Sequence, residues 1–78
     1  MRDIKPGTIE FNAWMDVFNF WKTCGDCKTK EDWQQFHDKA VEIDRKYDKE
    51  GHDLVLALLL ALTDVAEKQQ LKRGLSNG

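Results

Sequence analysis

Few side chains in this chain combine the type and the spacing that chemistry needs. Cys24-Gly25-Asp26-Cys27 is a Cys-x-x-Cys pair, a spacing that lets two thiolates grip one metal ion or close a small disulfide. A structural zinc site needs four ligands. His37 and His52 are the only other candidates of the zinc-finger type, and the gaps of nine and then fourteen intervening residues do not match the usual ligand pairing. Two chains contributing a pair each would supply four Cys. A redox pair normally opens a helix in a βαβ setting, where the dipole lowers the thiol pKa, whereas this pair falls between two helical patterns. The expectation is two plain thiols in a loop, with a metal-binding or thiol-redox role for Cys24 and Cys27 as an alternative.

The remaining candidates are thinner. His37 adjoins Asp38 at the edge of an apolar stripe and reads as a boundary histidine, since a general acid or base needs a partner and a pocket. His52 reads as a loop residue. Asp38 and Glu42 are four apart, but Lys46 follows Glu42 by another four, so a solvated helix face accounts for them. The helices carry no Glu-x-x-His or His-Glu-x-x-His, there is no Gly-rich phosphate loop, and Ser76 is the only serine. The residues therefore predict neither an enzyme nor a bound cofactor.

With 78 residues the chain suffices for one domain, spanning 1–78. Its 12 Lys and Arg against 14 Asp and Glu give a net charge of −2 with the signs interspersed. That supplies no basic face to neutralise phosphates, so a nucleic-acid partner is not expected, and the acid excess is too small for DNA mimicry. The longest apolar run, Leu54 to Leu62, is nine residues, against the roughly 20 that a spanning helix needs, so no membrane partner is expected. Met1 to Gly7 are charged and turn-forming, unlike a secretory leader. Two Cys without a leader point to a reducing cytoplasm.

Hydrophobic periodicity predicts an all-α chain of three helices, at about 9–22, 30–48 and 53–73, with flexible ends at 1–7 and 74–78. Thr8 and Thr29 suit N-caps, Gly25 suits a helix stop or tight turn, and Asp53 suits a third cap with Gly74 just past the end. Trp33, Phe36, Ala40, Ile43 and Tyr47 recur at spacings of 3, 4, 3 and 4, one apolar stripe on helix 2. Short connections make neighbours antiparallel, giving an up-down-up bundle.

Helices 1 and 3 carry more apolar surface than that bundle can hide. Helix 1 has two stripes, Phe11, Trp14, Phe18, Trp21 and Ile9, Ala13, Val17, Phe20. Helix 3 pairs a face of Leu54, Leu58, Leu62 and Val65, extended by Val55, Leu59 and Ala66, with Leu56 and Leu60 on roughly the opposite side. A helix apolar all round is usually buried all round, and a chain this short is undersized for a core of its own. The expectation is a homodimer, with Phe11, Trp14, Phe18, Trp21, Leu56 and Leu60 at the interface. The alternative cover for Leu56 and Leu60 is the N-terminal arm, through Ile4.

From Trp33 to Glu67 the run of Trp, Phe, Ala, Ile and Lys-Tyr, then Leu-Val-Leu-Ala and Thr-Asp-Val-Ala-Glu, resembles small helical proteins of phages and mobile elements of Gram-positive bacteria. The resemblance covers about half the chain and carries no catalytic motif, so it transfers no site residue. It implies a bacterial or viral cytosolic protein with a regulatory or host-inhibiting binding role. The sequence thus predicts a non-enzymatic interaction module that self-associates through helices 1 and 3, with a phage-type regulator binding a host protein as the alternative.

Overall fold

A computed structural model of the chain describes residues 3–77, with side chains up to residue 72. Met1, Arg2 and Gly78, three of the residues expected at flexible ends, lie outside the described residues. Three helices follow one another: α1 (Ile9–Cys24), α2 (Lys30–Lys46) and α3 (His52–Asn77). Among the described residues there is no strand, and no helix is long and apolar enough to cross a membrane.

Local chemistry sets the ends. The Thr8 hydroxyl accepts from the Phe11 amide at 3.2 Å. Thr29 caps α2 through a reciprocal box, accepting from the Asp32 amide while the Asp32 carboxylate accepts from the Thr29 amide, which satisfies two donors that the first turn would otherwise leave open. Gly25 closes α1, its amide donating to the Trp21 carbonyl at 2.8 Å. Its φ of −73° is open to any residue. What demands glycine there is space, because a Cβ would meet the Trp21 carbonyl and come within 2.8 Å of the Trp21 ring.

Both ends of α3 differ from the periodicity's prediction. The helix starts at His52, not Asp53, because Gly51 takes the left-handed conformation (φ +77°) and its carbonyl accepts from the Val55 amide. His52 is therefore a first-turn residue, not a loop residue. At the far end α3 runs through Gly74 to Asn77. Glycine inside a helix costs about 1 kcal/mol relative to alanine, a penalty that does not forbid the helical conformation.

The core is a single cluster of Ala13, Phe20, Cys27, Phe36, Tyr47, Val55, Leu59 and Ala66, with Val17 also buried. Phe20 and Phe36 sit with ring centroids 4.7 Å apart, and Trp33 meets Phe36 edge-on at 5.5 Å. The α2 stripe thus faces inward, Phe36 and Tyr47 buried and Trp33, Ala40 and Ile43 half-buried against them. On α3 the buried line is Val55, Leu59 and Ala66, while Leu54, Leu58 and Leu62 are half-buried and Val65 is exposed. The line that meets both neighbours lies between their flanks, and the face built on Leu58 and Val65 falls to one side of it.

One polar cluster latches α1 to α2. Asp16 accepts from the Tyr47 hydroxyl at 2.5 Å and from Lys46 Nζ at 2.8 Å. Burial pushes the Asp16 carboxyl up, but the hydrogen bonds from Lys46 and Tyr47 and the Lys46 charge outweigh it, leaving the carboxyl below its ordinary range. This contribution is present above the unfolded value of roughly 3.9 and is lost as pH falls through the lower folded value. Burial, then the bond to Asp16, pushes the Tyr47 phenol up to about 12. Its contribution is full below roughly pH 10, the unfolded phenol value, and is lost as pH rises through the folded value.

Tyr47 is the only tyrosine, so tyrosinate absorbance reads it alone. In the native protein it titrates near 12, and Asp16→Asn moves the midpoint toward 10, the model value. A native midpoint already near 10 would remove the latch from the account. A second expectation concerns the left-handed glycines. At Gly7 (φ +89°) a Cβ meets nothing within 4 Å, whereas at Gly51 it falls 3.0 Å from Ile9 Cγ2. Urea unfolding should show Gly7→Ala costing about 1 kcal/mol and Gly51→Ala more. Equal losses would mean that the α1 contact with the turn has no weight.

Candidate functional site

The residues expected to carry chemistry are spread apart. Cys24 is half-buried and Cys27 buried, both as free thiols, with Cys27 Sγ donating to the Cys24 carbonyl at 3.4 Å. Cys27 belongs to the hydrophobic core, a setting of structural cysteines. His37 is exposed on α2, and His52 Nε2 lies 3.0 Å from Asp44 Oδ1, tying α3 to α2. Among the described residues no three His, Cys, Asp or Glu side chains converge to hold a metal. Asp38 accepts from Gln34 and Glu42 pairs with Lys39, so these two carboxylates are held separately on a solvated face.

What the fold does assemble is apolar surface in two grooves, one on each side of α3. The first lies between α1 and α3, encloses about 210 Å³, and is lined by Trp14, Val17, Phe18, Trp21, Leu58, Ala61 and Leu62, without a charged residue. Trp14 is 45% and Phe18 58% exposed, and Val65 (41%) continues the α3 wall. At 100° per residue Phe11, Trp14, Phe18 and Trp21 share one flank of α1. The buried stripe of Ala13, Val17 and Phe20 holds the helix so that this flank turns toward α3 and outward. Phe11 and Trp21 are half-buried.

The second groove lies between α2 and α3 and encloses about 390 Å³. Trp33, Phe36, Ala40 and Val41 form one wall and Leu56, Leu59, Leu60 and Thr63 the other, with His37, Asp44 and Glu67 at its edges. Leu56 is 40% and Leu60 62% exposed. The Thr63 hydroxyl donates back to the Leu59 carbonyl at 2.7 Å, which spends its only donor within the helix. Trp33 Nε1 is buried with no acceptor among the described residues. Leu56 and Leu60 therefore do not join the aromatic residues of α1. They sit roughly 140–180° around α3 from Leu58 and Val65, on the α2 side, and no described residue of the N-terminal arm lines their groove.

No family model, curated protein or solved structure matches this chain.

The second groove escapes a reading of each helix alone, because its walls come from two helices. The signal available was the two flanking arcs of α3 on either side of a narrow buried line. The thiols yield a direct test. An aromatic disulfide reagent should titrate at most one thiol per native chain, at Cys24, and the second only in denaturant. Two fast-reacting native thiols would take Cys27 out of the core.

Proposed function

We propose that this chain is a non-enzymatic protein-interaction module that self-associates through helices 1 and 3, most simply as a two-fold homodimer. The observation that carries the reading is the α1/α3 groove, where aromatic side chains of α1 and leucines of α3 form a face with no charged lining residue. Trp14 and Phe18 leave about half their surface in water. Covering ~100 Å² on each contributes ~2.5 kcal/mol per side chain, and a contiguous exposed patch of this kind marks interaction surfaces.

The chain's size supports the same reading. Its accessible surface is 6028 Å², against about 4,900 Å² for a compact monomer of this mass. The surplus, on the order of 1,100 Å², combines the exposed apolar flanks with the N-terminal arm and the end of α3, where the described side chains are all exposed. A second copy laid across the groove would also enlarge a core in which, among the described residues, Val55 is the one large side chain that is fully buried.

Light scattering across a concentration series tests this. The expected result is a dimer that Phe18→Asp or Trp14→Asp converts to a folded monomer, with helical content retained by circular dichroism. A wild-type monomer at every concentration would end the proposal. A dimer that dissociates on adding a chelator would transfer the association to Cys24 and Cys27.

A further inference from the structure

The α2/α3 groove stands apart from the self-association surface and differs from it in charge. Its charged edge residues are Asp44 at one end, 3.0 Å from His52 Nε2 in the first turn of α3, and Glu67 at the other, beyond Thr63, with no Lys or Arg among the lining residues. Glu67 makes no ion pair among the described residues, and Asp44 meets only the His52 imidazole. Between the two carboxylates lie Leu60, the more exposed of the groove's two exposed leucines, and Val41 on the facing helix. The floor of the groove is formed by the buried Phe36 and Leu59.

We propose that this groove binds an amphipathic helix of a second protein, one whose short apolar stripe ends in a Lys or Arg on either side. The shape calls for a helix. The cleft between two antiparallel helices accepts a rod, and leucine-sized anchors at i, i+4 and i+7 fill such a cleft. The charges set the ends. Along α3 the step from His52, where Asp44 is held, to Glu67 is fifteen residues, about 22 Å of helix, so the occupant's two cations stand about four turns apart. A second copy docking groove to groove fits poorly, because the two-fold axis would set this acidic rim against another like it, and like-charge juxtaposition disfavours a partner. The proposal does not rest on self-association, since Leu60 and Glu67 lie outside the α1/α3 face.

The test uses the full chain and a labelled, helix-stapled peptide of about 15 residues with leucines at i, i+4 and i+7 and a lysine at each end. A control peptide carries glutamates in place of the lysines. Fluorescence anisotropy should show the lysine-ended peptide binding at least about fivefold tighter, a ratio that shrinks with added salt. Leu60→Asp, a change at an exposed position, should weaken it at least about tenfold with circular dichroism unchanged, and Glu67→Lys should lower or reverse the preference between the two peptides. Equal binding of both peptides would overturn the proposal, leaving an apolar surface without selectivity. Binding indifferent to Leu60→Asp would overturn it by placing the peptide elsewhere. A fall in molar mass on Leu60→Asp would overturn it in favour of a second copy, whereas loss of the dimer on Phe18→Asp with peptide binding intact would leave it standing and bear only on the α1/α3 interface.

Discussion

Two neighbours cannot enclose a helix. In a bundle of three, each helix turns one arc of its circumference toward the others, and the remainder faces outward whatever its composition. For α2 that constraint is harmless, because its outward faces hold Lys39, Glu42 and other charged residues. For α3 it is decisive. Val55, Leu59 and Ala66 take the inward arc, so Leu58 and Val65 on one flank and Leu56 and Leu60 on the other remain wherever the geometry leaves them. Both grooves, and their separation, follow from placing an almost uniformly apolar helix between only two partners.

The three seams of the bundle are accordingly unlike. The α1/α2 seam is bordered by Asp16, Lys39, Glu42 and Lys46 and latched by Tyr47 and Lys46 on Asp16. Its polar groups find one another, and water completes the rest. Along α3 the seam with α2 is joined by the His52–Asp44 contact at the loop end, and the groove against α1 is lined without a charged residue. Polar residues thus close one side of the molecule, while the apolar surplus is concentrated on the other two.

Much of this was legible in the residues. The helix count, both threonine caps, the stop at Gly25 and the α2 stripe follow from local propensities and spacing, which act within a few residues. The surplus of apolar surface on α1 and α3 was legible too, as a matter of counting. Its partition was not. A helical wheel sets Leu56 opposite Leu58, but only the positions of α1 and α2 decide which flank meets which neighbour, and that is a property of three helices together. The role of Gly25 was half visible: a stop was expected, but its reason, the Trp21 ring lying where a Cβ would go, is tertiary in origin. The extension of α3 through Gly74 shows the weakness of a single glycine as punctuation when nothing else ends the helix.

The length of α3 has a separate consequence. Among the residues whose side chains are described, the last buried one on α3 is Ala66, and each side chain from Glu67 to Lys72 is exposed. Helical structure from Glu67 to Lys72 draws on backbone hydrogen bonds, propensity and surface pairs such as Lys68–Asp64 and not on core packing, a basis that sustains a short isolated segment only marginally in water. The molecule is therefore not one cooperative unit along its long axis. Opening of the turns from Glu67 to Lys72 breaks no core contact, whereas opening around Val55 requires breaking the core, so the free energy of local opening rises along α3 from that exposed stretch toward Val55 within a single continuous helix.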